Sequence, residues 1–255
     1  MRPRRKRVNR RGLLSGACSL AASAFLPTTA IAQSSLIPQH GSGGGTSSFT
    51  AFRQSAFFKQ HGTELSDFFE VQFAALSHGF FQIPVKLASS PDESDAYFTF
   101  DADRPEGDQS YVIVGDALLE RLFDAKFGVE KLLGVLAHEL AHSYQVQANF
   151  IQALAGIRNH KIKFIELHAD YLAGQALAWR AQAMNDAPQE VMLLFYDYGD
   201  ENYASSQHHG TRAERLISFV AGYENFVASE HTPRTNPLLS SSKGILYIRK
   251  ASGFN

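Results

Sequence analysis

From Phe49 to about Leu76 the apolar side chains recur at helical spacing, at Phe57, Phe58, Leu65, Phe68, Phe69, Phe73 and Leu76, which predicts one helix or a broken pair. Three short runs with strand character follow: 84–87 (Pro-Val-Lys-Leu), 96–100 (Ala-Tyr-Phe-Thr-Phe) and 111–114 (Tyr-Val-Ile-Val). Turn-rich sequence separates them, so a small sheet is expected. Asp116 then stands where a capping residue would open a helix through Leu118, Leu119 and Leu122. Beyond this point the pattern is helical. It predicts helices over 129–147 and 161–184, a third starting near Pro188 and running through Tyr198, and a fourth over 211–223 with Gly222 near its end. The tail, 224–255, has scattered Pro and Ser and one strand-like run at 245–248. The expected class is α+β, mostly helical, with a small N-terminal sheet.

Composition adjusts this picture at its N-terminal end. The chain has 255 residues, 44% hydrophobic and 19% charged, which suits one globular domain with appendages. Its net charge of −1 conceals an asymmetry: seven Lys and Arg and no acid fall in residues 1–32, leaving 17 basic against 25 acidic side chains in the rest. An acidic body gives no reason to expect nucleic-acid binding. Residues 2–11 are strongly basic, 13–26 moderately apolar, and Ala30-Ile31-Ala32 is a small-x-small site. That three-part pattern predicts an export signal over 1–32, cleaved near Ala32, and a periplasmic or secreted product. Asn9 to Leu14, with Arg10-Arg11, resembles a twin-arginine signal, with the ordinary secretory route as the alternative. Residues 33–48, rich in Ser and Gly, read as a flexible leader, and 49–255 as the domain, with 224–255 its tail. No other segment approaches 18 apolar residues, so stable membrane insertion is not expected. The one cysteine, Cys18, lies inside the signal, so a metal site in the cleaved product has only His and carboxylates to draw on.

The chemistry centres on His138-Glu139-Leu140-Ala141-His142. Residues four apart on a helix share a face, so both imidazoles can reach one zinc ion. Glu139, about 100° round the helix, can reach the open side of that ion and take a proton from water there. A catalytic zinc keeps three protein ligands, and Glu166, on the predicted second long helix, supplies the third. Asp170, one turn on, can accept a hydrogen bond from a ligand imidazole and fix its tautomer. His168 points about 200° away from Glu166 round that helix and is disfavoured as a ligand. His208-His209-Gly210-Thr211, with Arg215 six residues after His209, offers a cationic or hydrogen-bonding group for a developing oxyanion. His209 and Arg215 are the expected pair, with His208 an alternative to His209. Thr211 as a helix cap is the structural alternative for this segment.

Taken together, His-Glu-x-x-His, Glu-x-x-x-Asp and His-Gly-Thr-x-x-x-Arg resemble the gluzincin metallopeptidases. The likeness is to the small neutral zinc metallopeptidases and the soluble relatives of the CAAX-prenyl-protease-type peptidases, over about residues 96–223. The resemblance implies zinc on His138, His142 and Glu166, with Glu139 as general base. It implies Asp170 supporting the ligands, and His209 and Arg215 steadying the transition state. It also implies an active-site helix pair and an extended peptide or protein substrate bound along an edge strand, here expected at 111–114. The expected activity is hydrolysis of peptide bonds. A peptidase-like domain that binds peptides without cleaving them, or a hydrolase of cell-wall peptides, are the alternatives.

Overall fold

The computed structural model describes residues 49–101, 109–155, 157, 161–184, 189–203, 205, 208–229 and 236–253. The expected signal over 1–32 and leader over 33–48 lie outside the described residues. The first helical stretch is a broken pair. After a short strand, β1 (Thr50–Ala51), and one 3₁₀ turn come α1 (Ala56–His61) and α2 (Thr63–Ala74), parted at Gly62. The chain runs on from α2 as a π-helical segment to Phe81. Phe52, Phe57, Phe58, Phe69, Phe73, Phe80 and Phe81 from this stretch are all buried in the main core.

Three longer strands follow: β2 (Lys86–Ser90), β3 (Ala96–Asp101) and β4 (Gln109–Gly115). The sheet order is β1-β2-β4-β3. β4 therefore lies inside the sheet, parallel to β2 and antiparallel to β3. This corrects the expectation that 111–114 is a substrate-binding edge: its backbone hydrogen-bonding groups already serve two neighbours, and Val112, Ile113 and Val114 are buried. The edge strand on the side of the site is β3. Asp116 also departs from expectation. It is the first residue of α3 (Asp116–Phe123) and makes no cap there; its Oδ2 instead accepts from the Ala56 backbone N–H at 3.0 Å, tying down the start of α1.

The remaining helices are α4 (Gly128–Gln147), α5 (Ile151–Ala155), α6 (Lys161–Met184), α7 (Gln189–Asp197), α8 (Arg212–Ala228) and α9 (Pro237–Ala251). α4 and α6 are apolar on almost every side, as buried helices are, and they form the expected pair. The tightest approach is between α6 and α8. A Cβ on Gly174 would stand 2.1 Å from the Phe219 carbonyl oxygen, and one on Gly222 would stand 1.9 Å from that of Tyr171. Gly222 is thus a packing residue inside α8. It does not end the helix, which continues six residues past it. The tail run at 245–248 is not a strand. It belongs to α9, which opens with Asn236 Oδ1 accepting from the Leu239 N–H at 3.0 Å and with Pro237 in the first turn. The architecture is α+β, mostly helical, with a four-stranded mixed sheet. Among the described residues no helix is long and apolar enough to cross a membrane.

Candidate metal centre

α4 brings His138 and His142 together through its own period, and α6 lays Glu166 across from them. The Nε2 atoms of His138 and His142 are 3.0 Å apart. Glu166 Oε2 is 3.3 Å from the first, and Oε1 is 3.3 Å from the second. All three side chains are buried, and together they can hold a metal ion.

Hydrogen-bond direction supports this. His138 Nδ1 faces Asp170 Oδ1 at 3.0 Å, and His142 Nδ1 faces Gln145 Oε1 at 2.9 Å. An amide oxygen only accepts, so the His142 ring carries its proton on Nδ1 and turns a lone pair inward from Nε2. A lone pair and a carboxylate converging in a buried space repel unless a cation lies among them. An ion held tetrahedrally by bonds of about 2.0–2.1 Å sets its ligand atoms roughly 3.3 Å apart. The observed separations of 3.0–3.3 Å fit that requirement.

The charges around the cluster follow the same logic. Burial alone would lower the His138 pKa, but hydrogen bonds and charge from Asp170 and Glu166 raise it to about 10. Burial works to raise the pKa of Glu166, yet His142, Arg215 and His138 hold it well below the ordinary carboxylate range. Arg215 is fully buried on α8, with Nε and Nη2 on the two carboxylate oxygens of Asp170 and Nη1 3.0 Å from Glu166 Oε2. The close contact at Gly174 and Gly222 brings α8 against α6, and the guanidinium lies on two buried acids.

The open side is a cleft of about 80 Å³ lined by His138, Glu139, Val135, Asp95, Ala96, Tyr198 and His209. Glu139 and His209 thus meet where the sequence placed them. The two late histidines differ in position. His208 is buried, its Nδ1 2.6 Å from Asp200 Oδ1, whereas His209 is partly exposed on the cleft and donates its backbone N–H to Asp200 Oδ2 at 2.9 Å. Against the raising effect of burial, hydrogen bonds from His208 and from the His209 and Asn202 N–H groups lower the Asp200 pKa to about 2. Asp200 therefore anchors the loop that presents His209. Thr211 caps α8 through a reciprocal pair with Glu214, so the capping role and the histidine role coexist.

Four participants have no place in the sequence reading. Gln145 lies three residues after His142 on the same helical face, a spacing that is legible in principle. Asp95 and Asp200 carry no local signal. Tyr198, just past the end of α7, has a buried hydroxyl with no hydrogen-bond partner among the described residues, at the cleft wall. Burial, with Asp95 and Glu139 nearby, raises its pKa, so it is a neutral donor. His168, disfavoured as a ligand, turns away from the cluster to contact Gln145 and α9. Burial lowers its pKa to about 4, keeping it neutral.

No protein-family model, curated protein or solved structure matches this chain, so functional inference rests on the site itself.

Proposed function

We propose that the protein is a zinc-dependent peptidase of the gluzincin type, cleaving peptide bonds with Glu139 as general base. The observation that carries the reading is that the cleft opening onto His138 is walled by Glu139, the residue next to it on the same helix. Two imidazoles and one carboxylate, with no thiolate, are a donor set of catalytic zinc sites, which keep one position for water or substrate. When bound there, zinc would lower the pKa of a water and polarise a substrate carbonyl.

The chain's own residues do the rest. Glu139 accepts a proton from the attacking water and passes it to the departing amine. His209 and the neutral Tyr198 hydroxyl stand on the same cleft to donate to the oxygen on which negative charge develops. Asp170 and Gln145 hold the ligand rings, and Arg215 offsets the buried acids. Ala96 opens β3 and lines the cleft, so an extended peptide substrate is placed along β3, in preference to 111–114.

Elemental analysis of the purified protein should give one zinc per chain, and a peptide library should be cut. Glu139→Gln should keep the zinc and lose about 10²–10⁴ of the rate. Protein without stoichiometric zinc, or a Glu139→Gln variant that cleaves like the wild type, overturns this function. So does a zinc-loaded protein that binds peptides and cleaves none.

A further inference from the structure

Beyond the ligands, a line of buried polar groups runs from His142 to the C-terminal helix. Gln145 Oε1 accepts from His142 Nδ1 at 2.9 Å. Gln145 Nε2 donates to the Ile165 carbonyl at 2.8 Å and lies 3.0 Å from His168 Nδ1. His168 Nε2 lies 3.0 Å from the Ser241 carbonyl oxygen, 73 residues on in the chain and within α9. His142, Gln145, His168 and Ser241 are all fully buried. α9 rests directly on the His168 ring: a Cβ on Gly244 would stand 2.9 Å from its Cδ2 and 2.9 Å from Tyr171 Cδ1.

The direction of each hydrogen bond follows from its partners. The Ile165 carbonyl only accepts, so the Gln145 amide nitrogen faces that way and its oxygen faces His142. The second amide hydrogen then points at His168 Nδ1, which must be the unprotonated nitrogen of that ring. The His168 proton is left on Nε2 and goes to Ser241, whose carbonyl oxygen is 3.0 Å and hydroxyl oxygen 3.1 Å away. All donors point away from the metal ligands, toward α9. Bonds aligned in this way polarise one another. Their sum fixes the proton of His142 on Nδ1 and increases the electron density on its Nε2. Reversing the line would put a proton on His142 Nε2, where the lone pair is required.

We propose that α9 is a working part of the metal centre: through Ser241, His168 and Gln145 it sets the tautomer and orientation of His142. His168 is thereby a positioning residue. The inference rests on the reading of His142 as a ligand.

Two measurements on the full chain test it. In the first, zinc affinity is titrated against a chromophoric chelator, and the visible spectrum of the cobalt-loaded protein is recorded. His168→Phe and Gly244→Val should each weaken zinc binding about 10–100-fold and shift the cobalt bands. Leu246→Ala, on the exposed side of the same helix, should stay within about twofold of the wild type. In the second, amide exchange of wild-type 237–251 is followed with and without zinc, which needs no variant to fold. Zinc should slow exchange there. Folded variants with unchanged affinity and cobalt spectrum overturn the inference, as does α9 exchange indifferent to zinc, while the zinc-site reading stands. Wild-type protein that takes up neither zinc nor cobalt overturns both.

Discussion

Arg215 holds both carboxylate oxygens of Asp170 from the neighbouring helix, and Asp170 in turn faces the Nδ1 of His138. A cation on α8 is thus two contacts from the His138 ring on α4, with α6 between them. Arg215 is buried and its guanidinium is engaged by Asp170 and Glu166.

Arg215→Met should accordingly leave Asp170 and Glu166 as uncompensated buried acids. Removing one partner of a buried pair costs about 3–5 kcal/mol. The expected result is a large drop in the thermal midpoint, measured by circular dichroism, together with weaker zinc binding. A variant that keeps its midpoint and zinc affinity and loses only turnover would place the guanidinium at the reacting atoms.

Tyr198→Phe removes a hydroxyl without changing the ring. Because the hydroxyl has no partner among the described residues, little stability should be lost. If it donates to the developing oxyanion, kcat should fall about 10²–10³-fold with KM nearly unchanged. Steady-state kinetics on a fluorogenic peptide reads both, and a variant with raised KM and intact kcat would count against the role.

His209 and His208 should separate in the same assay. His209→Ala removes a side chain on the cleft and should lower kcat by about 10²-fold or more. His208→Ala acts through Asp200 and the loop, so its effect should be smaller and accompanied by a lower thermal midpoint. The reverse order would exchange their assignments.

Zinc affinity should depend on pH in a defined direction. In the metal-free protein the His138 pKa is raised to about 10, so this ring is protonated at neutral pH, and zinc must displace that proton. One displaced proton makes the affinity rise about tenfold per pH unit up to the folded pKa and then level off. For the metal-free fold the sign is opposite. The stability that protonated His138 contributes is complete below its ordinary pKa of about 6.5 and is lost as pH rises through about 10. Chelator competition and thermal melts across that range measure the two trends.

Some of this was readable along the chain. His138, Glu139 and His142 are spaced by the period of a single helix, and α4 and α6 carry apolar patterns strong enough to place them within a residue of their ends. Local rules failed where a distant partner decided the outcome. Asp116 satisfies the first N–H of α1, although its place at the head of α3 made a cap there the natural expectation. Residues 245–248 form a short apolar run like that of a strand, yet they complete a helix because Asn236 and Pro237 start one and because Gly244 lets it lie on His168.

The sequence by itself determined the spacing of His138, Glu139 and His142 on one helix and the predominance of helix, since each depends on spacings within one element. The tertiary structure alone decided which strand is an edge, which late histidine reaches the cleft, that Arg215 lies on Asp170 and Glu166, that Tyr198 lines the cleft and that α9 rests on His168. Those outcomes depend on contacts between elements, above all the backbone approach of α6 and α8 at Gly174 and Gly222, which no periodicity within either helix encodes.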